Sequence, residues 1–219
     1  GSEMCIRDSN WPHRSHELML LHAVTYKGPP IDDAEILAEL PSSIRSILEQ
    51  INGFIQFGGG FHLRGACRSP AWHSLREAWH GEDAFHRQYP TVSEHDIPFA
   101  QDALGDQFFL RNGRVFKLHS ETGDIDNTDK EFPAFLQEAQ ENPIDFLLLN
   151  VLVEYHKNGG KLEPGQLLNV YPPFCTEESS QGVSLSAVSA SERRSFLAGL
   201  ARQLQQVEDG QSVEFIIDR

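Results

Sequence analysis

The Asn-Gly pair at 112–113 constrains this chain more than any other feature. It separates two apolar runs, QFFLR at 107–111 and RVFKL at 114–118, by two residues only. Asn and Gly both tolerate positive φ, which a type I′ turn requires, and the twist of that turn suits two antiparallel strands. A two-residue loop fixes the register: Arg111 faces Arg114, Leu110 faces Val115, Phe109 faces Phe116 and Phe108 faces Lys117. Strand side chains alternate, so Phe109 and Phe116 share one face while Leu110 and Val115 share the other. Apolar residues on both faces predict a hairpin inside a sheet, not at its edge. Just before it, Asp102 and Gly105-Asp106 supply turn chemistry and negative charge.

Upstream, residues 15–24 carry Leu18, Leu20, Leu21 and Val24 and read as a short helix or an extended segment, ended by Gly28-Pro29-Pro30. Asp32, with Glu35 three residues on, reads as a capping box for a helix bearing Ile36, Leu37 and Leu40. Pro41 breaks it and opens a second helix, where Ile44, Ile47, Leu48 and Ile51 form a stripe at i, i+3, i+4 and i+7. Asn52-Gly53 stops that helix, with Gly in the left-handed cap. Residues 54–57 and 61–64 read as strands around Gly58-Gly59-Gly60. The triple glycine lacks the Lys-Ser/Thr and the helix start of a phosphate loop, so a flexible hairpin tip is expected. Residues 70–79 and 82–89 are expected as short helices or irregular aromatic-rich connections.

Downstream, GDIDNTD at 123–129 lacks the glycine and the bidentate Glu of a calcium loop and reads as an acidic, solvated turn. Phe132, Phe135 and Leu136 restart a helix with Pro133 in its first turn. Asn142-Pro143 opens another, expected to run from Ile144 to about Lys157 and to bury Ile144, Leu147, Leu148, Val151, Leu152 and Tyr155. Residues 162–174 read as loop and short strand, and 177–186 as a polar, mobile stretch. Ser189 with Glu192 forms a capping box for a helix over 190–206, and 213–217 reads as a last strand.

At 219 residues and 39% apolar content, the chain has enough for a core and predicts a soluble globular protein. No apolar run approaches the ~18 residues of a membrane span, and no signal peptide is visible. Cys5, Cys67 and Cys175 are widely spaced and odd in number, which argues for a reducing cytoplasm over a disulfide framework. The formal charge is −14. Nucleic acid and anionic membrane both need cations on the protein, so neither is expected as a partner, and basic partners are favoured. The charge is concentrated: residues 94–145 hold 12 acidic and 4 basic residues, a net of −8.

Ten histidines invite a search for a site. His73, His80 and His86 cluster, but no pair has the i, i+4 spacing of a helical metal site. Cysteine and histidine do not combine into a zinc pattern, and no Ser sits in a G-x-S-x-G elbow. No catalytic residue, metal or cofactor is therefore expected. A hydrolase built on the His-rich insert at 72–86 is the reading these patterns support least.

Leu40-Pro41, Ile47-Leu48 and Ile51-Asn52-Gly53 resemble the first motif of the SMI1/KNR4 family, the SUKH superfamily. Ile97-Pro98-Phe99-Ala100, Asp102, Gly105-Asp106 and the strand at 108–110 resemble its middle signature, and Val115-Phe116 with Phe132, Phe135 and Leu136 complete the order. The resemblance covers roughly 31–140. The His-rich insert at 65–95 and the segment after about 143 depart from it. It implies an α+β fold with a central, mostly antiparallel sheet and helices packed on it. The domain would span 15–145, preceded by a tail at 1–14 outside the fold and followed by an extension at 146–219 packed on the same core. It also implies a cytoplasmic immunity protein that neutralises a bacterial toxin by occlusion, often a nuclease or nucleic-acid deaminase. The alternative within the family is a regulatory scaffold. The acidic stretch then nominates Asp102, Asp106, Asp124, Asp126 and Asp129 for partner binding, with Trp72 and Trp79 as exposed aromatic anchors.

Overall fold

The computed structural model describes residues 24–206. In it, strands β5 (Gln107–Arg111) and β6 (Arg114–His119) pair in the register read from the sequence, from Arg111 opposite Arg114 to Gln107 opposite Leu118. Asn112 and Gly113 both have positive φ, +50° and +81°. Around this hairpin the chain lays down β1 (Val24–Lys27), β2 (Phe54–Gln56), β3 (Phe61–Leu63), β4 (Ile97–Asp102) and β7 (Asp124–Lys130). The seven strands lie side by side in chain order, each antiparallel to the next. The fold is α+β, and the hairpin is interior to the sheet as its two apolar faces require.

Each face is covered. On one lie α1 (Ala34–Glu39), α2 (Ser42–Gln50) and α5 (Phe132–Glu141). Their Ile36, Leu40, Ile44, Leu48, Phe135 and Leu136 pack with Phe61, Phe108, Leu110 and Val115 of the sheet. Phe135 is the hub: its ring touches those of Phe61, Phe99, Phe108 and Phe146 at centroid distances of 4.9–6.1 Å. On the other face lie α4 (Phe85–Gln88) and α8 (Ala190–Leu204), and α3 (Leu75–His80) bridges the two, its Leu75 and Trp79 in the first cluster and its Ala78 in the second. There Ala78, Phe85, Tyr89, Ala198 and Ala201 pack with Phe109 and Leu118. Between α5 and α8 come α6 (Pro143–Phe146), α7 (Asn150–Lys157) and a ribbon of β8 (Gln166–Tyr171) and β9 (Ser184–Ser189). Among the described residues no helix is long and apolar enough to cross a membrane.

Several local expectations change. The cap of α1 is Asp33, not Asp32: Asp33 Oδ1 accepts the Ile36 N–H, and the buried carboxylate is also gripped by Arg76. Asp32 instead accepts the Arg68 N–H at 2.7 Å. Burial decides between the neighbours, because Asp33 is the one facing inward where Arg76 reaches it.

The helix expected over 144–157 is split. Leu147 and Leu149 are both buried, yet residues two apart on a helix lie about 200° apart and cannot face one core. The chain breaks between α6 and α7, with Leu148 at φ +54° and exposed, and Ile144 exposed as well.

The triple glycine is a packed seat, not a flexible tip. A Cβ on Gly58 would meet His156 Cε1 at 2.4 Å, on Gly59 Leu162 Cδ1 at 2.8 Å, and on Gly60 Leu149 Cδ1 at 2.8 Å. Three side chains of the C-terminal segment thus rest on three successive glycines of the β2–β3 turn. The acidic turn at 123–129 is strand β7, and the polar stretch at 177–186 contains a 3-10 turn (Glu177–Gln181) and the start of β9. The expected strand at 213–217, the segment at 15–23 and Cys5 lie outside the described residues.

Candidate functional site

The β4–β5 turn shows what two of the nominated carboxylates do. Asp102 is buried, and its Oδ1 accepts the backbone N–H groups of Leu104, Gly105 and Asp106 at 3.0–3.1 Å. Lys117 Nζ stands between Asp102 Oδ2 at 3.2 Å and Asp106 Oδ2 at 3.0 Å. Asp106 Oδ1 accepts the Ser120 N–H at 2.9 Å. Burial and the neighbouring Asp106 carboxylate push the Asp102 carboxyl up to about 6, and the two carboxylates hold the Lys117 ammonium above its usual range. At neutral pH the cluster is an ion triad that fixes the turn, so Asp102 and Asp106 are corrected from partner contacts to structural groups.

The remaining three carboxylates are in the open. Asp124, Asp126 and Asp129 are exposed on β7, the terminal strand of the sheet. Polar β7 holds its place by register and by side chains: Lys117 lies opposite Asp126, Thr128 Oγ1 donates to the Val115 carbonyl at 2.7 Å, and a bulge puts Asp129 at φ +57°. Charge on an edge strand also blocks unwanted strand pairing. The acidic rim continues beyond the nominated residues. Glu131 and Glu141 are exposed at the two ends of α5, and Glu138 between them pairs with Lys130 at 3.3 Å. These glutamates lay inside the acidic stretch of the sequence, but α5 separates them: Glu131 directly follows β7, whereas Gln140, next to Glu141, hydrogen-bonds Gln56 of β2 toward the other border of the sheet.

The two tryptophans do not serve as exposed anchors. Trp79 is buried in the main core, with its Nε1–H donated to the Glu94 carbonyl at 2.9 Å. Helix α3 turns this residue inward, which overturns its assignment as an anchor. Trp72 is half-buried among Tyr26, His62 and His73, with ring centroids 5.1–5.5 Å away. It lies near β1 and β3, on the opposite side of the sheet from β7.

The histidines of the insert do not converge. His80 pairs with Glu39, and His86 lies on α4. His73 meets a histidine that the sequence did not single out, His62 of β3, with His62 Nε2 2.8 Å from His73 Nδ1. His73 Nε2 is 3.0 Å from the Asn52 carbonyl, which only accepts, so His73 carries its proton there. His73 Nδ1 must then accept from His62 Nε2–H, and His62 Nδ1 accepts from Gln101 Nε2 at 3.2 Å. Each ring is satisfied as a neutral tautomer. Burial drives both imidazoles down, His62 well below its usual range and His73 to about 4.

Behind Gln101 lies Arg64, fully buried and with no ion-pair partner among the described residues. Its guanidinium donates to the Pro98 carbonyl and to the side-chain oxygens of Gln101 and Gln107, at 2.6–2.8 Å, and rests on the Phe85 ring. Arg64 Nε has no acceptor among the described residues. No group of three or more His, Cys, Asp or Glu able to hold a metal ion occurs among the described residues.

The class defined by this architecture is an α+β protein built, among the described residues, on a seven-stranded antiparallel meander whose last strand is acidic. Compared with family models, with curated proteins and with solved structures, the chain gives no match.

Proposed function

We propose that this protein is a cytoplasmic inhibitor that binds and neutralises a basic, nucleic-acid-acting toxin by covering its active-site cleft. The observation that carries the reading is the acidic edge of the sheet, where Asp124, Asp126 and Asp129 stand exposed on β7 and Glu131 follows at its end. A cleft that binds nucleic acid is lined by cations. A rigid row of carboxylates competes for that cleft and is steered to it electrostatically, which speeds association and makes it sensitive to salt. The order of the SMI1/KNR4-like motifs supports the same reading. It acts by occupancy, with no bond made or broken.

The test uses the product of the gene next to this one. Its association rate with the protein should fall steeply between about 50 and about 500 mM salt, where the Debye length shrinks several-fold. Replacing Asp124, Asp126 and Asp129 together by Asn should slow association roughly tenfold and flatten the salt dependence. A rate indifferent to salt and to the triple substitution refutes the docking surface. A neighbouring gene that encodes no toxin favours the regulatory-scaffold alternative.

A further inference from the structure

The seam between the sheet and the C-terminal segment encloses a cleft of about 610 Å³. This is within the size range of small-molecule sites, which favour such seams. Its floor is one lateral row of the sheet: Ile55 of β2 is opposite His62 of β3, which is opposite Gln101 of β4. Trp72 and the loop at 159–167 form the walls, and His156 stands at the Gly58 end.

The lining is chemically specific. It presents little net charge: the relay through His73 holds His62 in a neutral tautomer, and Lys161 and Glu163 of the rim pair with each other at 2.7 Å. It presents donors. Trp72 Nε1–H donates to no acceptor among the described residues. Gln101 Nε2 uses one amide hydrogen on His62 and has a second. The Gln101 oxygen is bound by the Arg64 guanidinium at 2.8 Å, which polarises the amide and strengthens its N–H as a donor. His156 Nε2 is buried and has no partner among the described residues. Trp72 adds an aromatic wall whose pyrrole ring rests against Gly165, where a Cβ would come 2.9 Å from Nε1.

We infer that this cleft is a binding site for a small uncharged planar heterocycle rich in carbonyl or ring-nitrogen acceptors, of nucleoside size. The ligand's acceptors meet Gln101 on the floor and Trp72 on the wall of the cleft. The site is independent of the acidic edge, since β1 and β7 are opposite borders of the sheet.

Uridine, cytidine, inosine and adenosine, and their 5′-monophosphates, are titrated to about 5 mM into nitrogen-15-labelled protein, a range that reads millimolar affinities. The readout is the Trp72 indole N–H resonance, assigned with Trp72→Phe. At least one nucleoside is expected to shift that resonance saturably, and its monophosphate to bind no more tightly. Thr25→Phe, a substitution at an exposed strand position lining the cleft, should weaken binding at least roughly tenfold while leaving the rest of the spectrum in place. Three results overturn the inference: no nucleoside moves the resonance, a monophosphate binds more than tenfold tighter than its nucleoside, or Thr25→Phe binds as well as the parent.

Discussion

Replacing His73 by Asn tests the buried relay through its pH dependence. In the folded protein burial holds His73 at about 4, against an unfolded value near 6.5. A histidine depressed in this way contributes stability that is full above pH 6.5 and is lost as pH falls toward 4, because only the unfolded chain takes up the proton. Each pH unit in that window removes up to about 1.4 kcal/mol, so His73 alone costs about 2 kcal/mol between pH 7 and pH 5. His62, depressed for the same reason, adds to the loss.

Asp102 works in the opposite sense. Its folded value near 6 lies above the unfolded one, so folding gains stability as pH falls below 6. Asp102 is present in both proteins and cancels in the difference. Asn at 73 can still accept from His62 Nε2–H but loses the donor to the Asn52 carbonyl, which is left buried and unpaired. The variant should therefore be about 2 kcal/mol less stable at pH 7.5. Its deficit should shrink by a similar amount by pH 5, where the parent bears the cost of the neutral histidine. Urea denaturation of both proteins at half-unit pH steps measures this directly. Parallel stability curves from pH 7.5 to 5 would refute the assignment of His73 as a buried neutral group.

Lys117→Met leaves Asp102 buried without its cation, so a loss of about 3–5 kcal/mol is expected at pH 7. The loss should shrink as pH falls toward 6, as followed by thermal unfolding against pH: burial raises the Asp102 carboxyl, Lys117 holds it down to about 6 in the parent, and without Lys117 it takes up its proton at higher pH. Gly59→Ala places a methyl 2.8 Å from Leu162 Cδ1 at φ +107°, whereas Gly113→Ala, at φ +81°, meets nothing within 4 Å. The second should cost about 1 kcal/mol from backbone strain and the first clearly more, by denaturant midpoint. Phe135→Ala removes the hub ring of the main core and should cost about 3–5 kcal/mol in the same assay.

The parts of the fold legible in the sequence are those fixed by contacts between near neighbours. The Asn112-Gly113 turn carried its own register, the stripe from Ile44 to Ile51 announced its helix, and Ser189 with Glu192 marked the start of α8. Of the candidate edge, the acidic stretch was plain in the sequence, but which carboxylates face water was not. Strand β7 has no apolar alternation, because an edge strand is held by its neighbour's backbone and buries little. Asp102 and Asp106 carried turn chemistry in the sequence, but that they are drawn in around Lys117 was not legible there.

By itself the sequence determined the central ribbon, its two apolar faces and the excess of negative charge along 94–145. Only the tertiary structure decided that Trp79 points inward, that Asp102 and Asp106 clasp Lys117, that His62 finds His73, and that three glycines seat three side chains nearly a hundred residues away. Turn chemistry and periodicity act over a few residues and are written locally. Burial is a property of everything that packs around a side chain, and the partners in each of these cases come from distant stretches of chain.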